Sequence, residues 1–534
     1  MSGGVWERRV AGILFWVLFA LVMLAQVAIV APEFWMTRLW EDEAFNLTVP
    51  LNLLAGHGYS SAGLLGSGTI TPFDVRISTG PVVLLPVAAV LSTGIDPVVG
   101  GRLVSLIFYA GLLVALWLLG RRIAGRWGAL IAIVVPLALN TNQLPSPVQG
   151  PIDILGEFPA AALIAWSFVC IRRRPWLAGL FLGLAIQTKF ISLLAAPALL
   201  VYVWFVILDE PWPERLKRCI WFTVWAAIPT ALYWLAVLIS LGPSGFVNNA
   251  HQFLAFLKSG GQTAAVPPDQ KLTALMGSWF VDSRIVIAVV IAVLVIGALA
   301  VVAVRIAVRR GQSADVLVQD AGAQTSARDI TFLLIAAAVN LVAWVGWWTL
   351  SRGTPTWIRY PSTGLVVSIP IFAAAAVLGV RMLWVQAVRR APRPTIAAGR
   401  ARAGWLRWTA AGVAAVLCAL FVASATSSVQ QHTAWVQVPD YAETLSQQRD
   451  VAHELAELGD KKFATPWGGQ LGAILLSGVP FTNQAGPEVW SLPNVLWNPE
   501  LTDAGEAGFD QLVNSQCKRD VVRIAAQYAV CRLG

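Results

Sequence analysis

Three consecutive carboxylates, Glu41, Asp42 and Glu43, follow the first long apolar segment of the chain, Ala11 to Ala31. Carboxylates beside a bilayer are costly to maintain and tend to mark functional positions. At such a place a carboxylate can deprotonate a nucleophile, or bind a metal ion that activates one. The alternative is a solvated acidic loop, and position alone does not separate the two interpretations.

Further charged residues are predicted at the same side of the membrane, at the ends of different apolar segments. Because those ends meet at one surface, a single cavity could collect them. The set would suit a reaction between a phosphorylated ligand and a hydroxyl or amine, in which Arg and Lys neutralise the departing phosphate. The acidic residues are Glu41, Asp42, Glu43, Asp74, Asp153 and Glu157, and the basic residues are Arg76, Arg102, Lys189, Arg352 and Arg359.

Each of these residues also has a structural explanation. The basic side chains could anchor helix ends by snorkelling, Asp153 could cap the helix that follows it, and Glu157 could favour the dipole of that helix. His57 stands in a turn-like Gly-His-Gly-Tyr stretch, where a histidine is more often incidental. Asp42 and His57 are nevertheless the candidates for binding a divalent metal ion, and no cofactor is certain.

The composition places these residues on a membrane protein. The 534 residues are 57% hydrophobic and 13% charged, with a mean hydropathy of +0.67. Repeated apolar runs of about 20 residues are typical of membrane-spanning helices. The net charge of +9 is explained by arginine clusters that orient the chain, with the clusters on the cytoplasmic side, and not by nucleic-acid binding.

The arginine clusters predict about eleven transmembrane helices, with the N-terminus cytoplasmic and the C-terminus extracytoplasmic in the inner (plasma) membrane. Pro81 to Leu91 is too short to span and contains two prolines, so it is predicted to lie on the outer surface. The predicted spans are Ala11 to Ala31, Leu103 to Leu119, 127–140, 155–171, 176–189, 191–208, 219–241, 283–304, 330–350, 361–380 and 409–429.

Two domains are predicted on this basis. Residues 1–429 form the transmembrane domain, whose first outer loop is 32–100, and residues 430–534 form a small C-terminal α/β domain outside the cytoplasm. Tyr441 to Leu458 has the pattern of an amphipathic surface helix. The polar loops Gly311 to Arg328 and Ala391 to Arg402 are expected to be flexible.

The pattern resembles the GT-C superfamily of integral-membrane glycosyltransferases, close to the protein O-mannosyltransferases and lipid A aminoarabinose transferases. Four motifs carry the resemblance over residues 1–380. They are the Asp42-Glu43 pair with Phe45, the Thr79-Gly80-Pro81 start of a surface helix with Arg102-Leu103 beyond it, the run Ala178 to Lys189, and Arg359-Tyr360-Pro361.

The resemblance implies a sugar donor linked to polyprenyl phosphate and transfer outside the cytoplasm. Asp42 is similar to the family's catalytic acid of the first outer loop, with Glu43 beside it, and Asp153 to a second acid. Donor phosphate would bind the basic residues Arg76, Arg102, Lys189, Arg352 and Arg359. Phe45 replaces the usual Tyr, and Arg76 lies further from Pro81 than the family's basic residue does.

The sequence therefore predicts an inverting glycosyltransferase for cell-envelope biogenesis, with Asp42 orienting the acceptor. The acceptor would be a lipid, a polysaccharide or a protein. No nucleotide-binding Gly-rich loop, HExxH or GxSxG occurs, which favours a lipid-linked donor. The alternatives are a transporter or flippase of a lipid-linked or anionic substrate, which would be expected to show repeats and mid-bilayer charges, and an O-antigen polymerase or ligase.

Overall fold

The computed structural model describes most of the first 389 residues and separate pieces of the remainder. Arg352, the segment Ala391 to Arg402 and most of the predicted span 409–429 lie outside the described residues. Those described are 3–61, 70–139, 150–206, 210–259, 266–279, 282–309, 311–351, 353–389, 419, 422–423, 426–431, 444–458, 463–465, 470–478, 481–483, 494–497, 519–524 and 528–532.

Helices dominate the first part of the chain. Two of them are interrupted by a glycine in the left-handed region, Gly125 in α4 (φ 65°) and Gly242 in α8 (φ 70°), so each is a pair of helices joined by a sharp bend. The helices are α1 (Gly3–Trp35), α2 (Glu41–Leu54), α3 (Pro81–Leu91), α4 (Pro97–Ala138), α5 (Glu157–Cys170), α6 (Pro175–Thr188), α7 (Ala196–Phe205, preceded by the 3₁₀ turn Phe190–Ala195), α8 (Trp212–Ser259), α9 (Pro268–Gly277), α10 (Ser283–Arg309), α11 (Ala314–Asp320), α12 (Ala327–Leu350) and α13 (Arg359–Arg389).

Six helices of the described chain are long and apolar enough to cross a membrane, and four shorter apolar helices accompany them. The predicted α-helical, multi-pass membrane fold is confirmed, while the exact number of spans stays a prediction. The surface segment Pro81–Leu91 forms a helix with the predicted bounds. We call the end of the bundle that carries Asp42 the Asp42 end.

The loop Gly311 to Arg328 differs from its prediction. It contains the helix α11, capped by the Ser313 hydroxyl, which accepts a hydrogen bond from the Val316 amide. Leu317 and Val318 are buried against the other helices. Polar composition predicted flexibility, but two apolar residues on one short helix are enough to dock the segment.

The described C-terminal pieces contain two helices and most of the strands. Helices α14 (Leu445–Glu457) and α15 (Gln470–Ser477) accompany a five-stranded mixed sheet in the order β4-β3-β5-β7-β6. The strands are β3 (Phe463–Thr465), β4 (Phe481–Asn483), β5 (Asn494–Trp497), β6 (Arg519–Ile524) and β7 (Tyr528–Arg532), and the earlier hairpin of the outer loop is β1 (Ser60–Ser61) with β2 (Thr71–Pro72).

Helix α14 is fastened to the chain just before Asp42. The buried Gln448 side chain accepts a hydrogen bond from the Leu39 amide at 2.6 Å and donates one to the Leu39 carbonyl at 3.0 Å. The Leu445 amide donates to the Met36 carbonyl at 3.0 Å, and Arg449 pairs with Asp96 at 2.9 Å. The C-terminal region thus fixes the backbone that leads into α2.

The loop that leads into α13 is held by a buried lysine. The Lys271 ammonium, on α9, donates to the Trp348 carbonyl at 2.9 Å, the Ser351 carbonyl at 2.7 Å and the Thr354 hydroxyl at 2.8 Å. Its side chain is fully buried. Each of its three protons has an acceptor, which is the condition under which a buried ammonium is tolerated.

Replacing this lysine should destabilise the fold. Lys271→Met removes the donor of all three hydrogen bonds, and the single proton of the Thr354 hydroxyl can serve only one of the two carbonyl groups at a time. A buried acceptor left without a donor costs roughly 1–3 kcal/mol. We expect a clear fall in the unfolding temperature of the purified protein in detergent. Lys258→Met, at an exposed lysine of α8, is the control, and an equal effect of the two substitutions would contradict this role for Lys271.

Candidate active site

Four charged side chains of alternating sign meet at the Asp42 end. Asp42 pairs with Arg359, and Glu157 pairs with Lys189. The four groups also act on one another electrostatically, since Lys189 interacts with both Asp42 and Arg359. We call Asp42, Arg359, Glu157 and Lys189 the four-charge cluster. Its members belong to four separate parts of the chain, so the fold and not the local sequence assembles it.

Asp42 lies in the first turn of α2, a place that suits an acidic residue. Acidic residues are favoured there because the helix N-terminus carries a partial positive charge. The Glu43 carboxylate closes the start of the helix by accepting a hydrogen bond from the Trp40 amide at 3.1 Å. The Asp42 side chain is largely buried, with 12% of its surface exposed, and within the described chain its one side-chain partner is Arg359.

Close backbone packing around the end of α6 positions Lys189. The Gly80 amide donates to the Thr188 carbonyl at 2.8 Å. A Cβ atom at Gly80 would collide with the Gln187 carbonyl, and one at Gly156 would lie 2.9 Å from the Thr188 oxygen. Glycine is therefore required at both places. The start of the surface helix, the residue before Glu157 and the residue before Lys189 are held together.

Arg359 is the first residue of α13 and is enclosed by aromatic rings. Its guanidinium lies 5.1 Å from the Trp357 ring centroid and 5.9 Å from that of Tyr360. These two rings stack on each other at 5.8 Å. Cation–π contacts of this kind favour arginine over lysine. The Thr363 hydroxyl donates to the Glu157 carbonyl at 3.2 Å, which joins the starts of α13 and α5.

The cluster retains hydrogen-bonding capacity within the described chain. Glu157 Oε2 and Arg359 Nε are buried and have no hydrogen-bond partner there. The Lys189 ammonium is largely buried, and the Glu157 carboxylate balances its charge. Buried polar atoms without partners call for an explanation, and a bound ligand would supply one here.

A second buried cluster lies beside the first and has a different character. Arg102 is fully buried, and its five N–H groups make five hydrogen bonds: two to the Glu43 carboxylate and one each to the carbonyls of Glu33, Thr37 and Arg38. An arginine has five such donors. Arg102 has none left for a phosphate, in contrast to the phosphate-binding role predicted for it.

Glu43 and Asp153 belong to this second cluster. Glu43 is fully buried and also accepts a hydrogen bond from the Ile154 amide at 2.9 Å. Asp153 accepts one from the Gly150 amide at 3.2 Å and acts electrostatically on Arg102 and Glu33. The catalytic roles predicted for Glu43 and Asp153 stay predictions, and their contacts favour a supporting role.

The predicted set also includes Arg76, His57 and Arg352. Arg76 is held by Asp74, with Nε to Oδ1 at 2.9 Å and Nη2 to Oδ2 at 3.1 Å. His57 is exposed in a turn. Arg352 is not described. Among the described residues no group of three or more His, Cys, Asp or Glu side chains could hold a metal ion.

The sequence predicted Glu157 as an outer acid but not as part of the site, and no sequence pattern marked Lys271 or Gln448. Glu157 stands in the first turn of a helix, where an acid needs no functional explanation. The signal that could have selected it is its place at the same end as Lys189. Gln448 lies 409 residues from Leu39 along the chain, so no local pattern marks it.

Part of the chain matches a known family of glycosyltransferases. Residues 79–327 match the model of Glycosyltransferase family 87. The matched region contains Glu157 and Lys189, whereas Asp42 and Arg359 lie outside it. No curated protein matches the sequence.

Solved structures also align with this chain. ArnT from Cupriavidus metallidurans in the apo state aligns with a TM-score of 0.58 at 12% identity, over 98% of this chain and 98% of that one. The same protein bound to undecaprenyl phosphate gives 0.56 at 12% identity, over 99% and 98%. An Archaeoglobus fulgidus oligosaccharyltransferase gives 0.49 at 12% identity, over 91% and 69%.

The resemblance to the GT-C membrane glycosyltransferases is confirmed at the level of the fold. Together with the family match, it supports a multi-pass membrane protein of the glycosyltransferase class.

The two clusters predict losses of stability of different size when one arginine of each is replaced. Arg102→Met should strand the buried Glu43 carboxylate and cost roughly 3–5 kcal/mol of stability. Arg359→Met removes one cation from a carboxylate that keeps some contact with water, its side chain being 12% exposed, and that also interacts with Lys189, so this change should cost less. Thermal unfolding of both variants in detergent tests this, and equal losses would contradict the division into a structural and a ligand-facing arginine.

Proposed function

We propose that this GT-C membrane protein is an inverting glycosyltransferase that takes a sugar from a polyprenyl-phosphate-linked donor. The observation that carries the proposal is the four-charge cluster, which has a largely buried carboxylate, Asp42, beside two cations at one end of the helices. The match of residues 79–327 to a glycosyltransferase family supports it. So does the fold shared with ArnT, whose structure is known with undecaprenyl phosphate bound.

The donor phosphate would bind Arg359 and Lys189. Arg359 has a buried Nε with no partner in the described chain, and a guanidinium can meet phosphate oxygens with two parallel hydrogen bonds. Lys189 adds a point charge. Both cations are paired with carboxylates before the donor arrives, so the cluster is charge-balanced without a ligand. Arg352, a few residues before Arg359, remains a further candidate for the donor.

The acceptor would be positioned and deprotonated by Asp42. Its hydroxyl or amine attacks the anomeric carbon as Asp42 takes the proton. The bond between the anomeric carbon and the phosphate oxygen breaks, and its electron pair leaves with the polyprenyl phosphate, whose charge Arg359 and Lys189 neutralise. One displacement inverts the configuration at that carbon.

The second cluster would support this chemistry without touching the substrates. Arg102 and Glu43 fix the entry to α2, and Asp153 lies behind them. We propose that the Asp42 end faces the extracytoplasmic side, with the N-terminus in the cytoplasm. The acceptor is then a lipid, polysaccharide or protein of the cell envelope. His57 and Asp42 remain the proposed metal ligands, should the reaction use a divalent ion.

The proposal predicts that Asp42→Asn abolishes transfer and leaves the fold intact. The measurement is turnover of a panel of polyprenyl-phosphate sugars by the purified protein in detergent. Asparagine keeps the size of the side chain but cannot accept the proton, so we expect a loss of at least a hundredfold, within the range of general-base catalysis. Asp269→Asn, at an exposed residue of α9, is the matched control.

Two results would count against the proposal in different ways. Full activity of Asp42→Asn would remove Asp42 from the catalytic role. If no donor in the panel is consumed by the wild type, while a lipid-linked or anionic substrate is moved across proteoliposome membranes, the protein is a transporter.

The role of Lys189 can be separated from stability by removing its ion pair as a unit. Glu157→Gln with Lys189→Met leaves no buried charge unpaired, so the fold should persist. Loss of one charge-assisted contact to phosphate should raise the KM for the donor about tenfold or more, with a smaller effect on kcat. The control is Glu210→Gln with Arg218→Met, which removes a pair remote from the site; an unchanged donor KM would exclude Lys189 from phosphate binding.

A further inference from the structure

A cationic pocket lies at the opposite end of the helices from Asp42. It has a volume of about 290 Å³ and is formed beside the bend of α4, at the end of α5 and just before the start of α12. Its lining residues are Leu118, Arg121, Arg122, Val169, Arg172, Arg173, Gln324 and Thr325. Four of these are arginines and none is a carboxylate. We call it the four-arginine pocket.

The positive charge of this pocket is only partly balanced. One carboxylate oxygen of Asp329 accepts hydrogen bonds from the Arg172 guanidinium at 3.4 Å and from the Thr325 hydroxyl at 2.5 Å. The other Asp329 oxygen accepts a hydrogen bond from the Tyr202 hydroxyl at 2.9 Å. Within the described chain, Arg121 and Arg173 have no ion-pair partner. One carboxylate therefore faces four guanidinium groups.

The contacts of Arg122 independently indicate an anion site. Its Nη2 donates to the Val169 carbonyl at 2.7 Å, which fixes the side chain between α4 and α5. Its Nη1 is buried and has no hydrogen-bond partner in the described chain. The backbone N–H of Gln324 donates to the backbone carbonyl of Arg122 at 2.9 Å, so the wall of the pocket is itself held in place. An oriented but unsatisfied guanidinium donor is suited to an anion.

The position of the pocket selects the kind of anion. Arg102, near the Asp42 end, and Arg122 are on the same straight part of α4, and 20 residues of helix span about 30 Å. That is about the thickness of the hydrocarbon core, so the pocket lies near the other membrane surface. Basic pockets between helices at this depth suit the phosphates of lipid headgroups.

We propose that the four-arginine pocket binds a phosphate-bearing anion at the membrane surface opposite the four-charge cluster. Arg121, Arg122 and Arg173 would neutralise the phosphate, with Nη1 of Arg122 as one of the donors. Arg172, shared with Asp329, would contribute less. The site is independent of the proposed transferase reaction, because no residue of the four-charge cluster belongs to it.

The test compares the binding of two phosphate probes to purified, delipidated protein. One arm adds cardiolipin in mixed micelles and counts bound molecules by native mass spectrometry. The other adds inorganic pyrophosphate without lipid and follows the unfolding temperature. The pocket variant is Arg121→Gln with Arg173→Gln, because neither residue has an ion-pair partner to lose within the described chain. The control, Arg9→Gln with Arg174→Gln, makes the same change of charge at exposed arginines that do not line the pocket.

We expect the wild type and the control to bind at least one probe, and the pocket variant to bind it about tenfold more weakly per arginine removed. Binding of cardiolipin alone would identify a lipid headgroup, and binding of pyrophosphate alone a soluble phosphate compound. Equal binding by the pocket variant and the control, or no binding of either probe by the wild type, would overturn the proposal.

Discussion

The buried pair of Arg102 and Glu43 is the interaction on which the rest of the candidate site depends. From α4, Arg102 donates hydrogen bonds to three carbonyl groups between the end of α1 and the start of α2, and to the carboxylate that closes α2. It thereby fixes the turn that carries Asp42. A buried charge is tolerated only when its donors are satisfied and its partner is close, and Arg102 meets both conditions. Without these contacts, the backbone before Asp42 would not be fixed, and the Asp42 side chain would not be positioned against Arg359.

Other contacts extend this support to each member of the four-charge cluster. Gln448 binds both backbone groups of Leu39, so the C-terminal region secures the same turn from outside the helices. Lys271 holds the loop that leads to Arg359. The close approach of Gly80 and Gly156 to the end of α6 positions Lys189 against Glu157. Each charge is therefore held by an element of its own, and rigid elements of this kind are what a reaction centre needs to keep its geometry.

The sequence predicted the helices and much of the site for physical reasons that can be named. Long apolar runs identify spans because a bilayer admits little else, and the arginine clusters place Asp42, Lys189 and Arg359 at one end. The sequence could not distinguish Arg102 from Arg359, since both begin or nearly begin a helix at that end. Their difference lies in which backbone carbonyls are within reach, and only the tertiary structure decides this. The same holds for Arg76, whose partner Asp74 is two residues away but could equally have faced solvent.

The alternation of charge in the cluster has a consequence for the proposed reaction. The charges of the two carboxylates and the two cations sum to zero, so the four groups can remain charged and buried without a ligand. A phosphate would compete with Asp42 for Arg359 and with Glu157 for Lys189. When Arg359 turns to the phosphate, Asp42 loses its one side-chain partner in the described chain, and its carboxylate becomes free to accept a hydrogen bond from an acceptor. Binding of the donor would then release Asp42 at the moment an acceptor can use it. In this arrangement the ion pair that balances the charge of the site also restrains its base until the donor is in place.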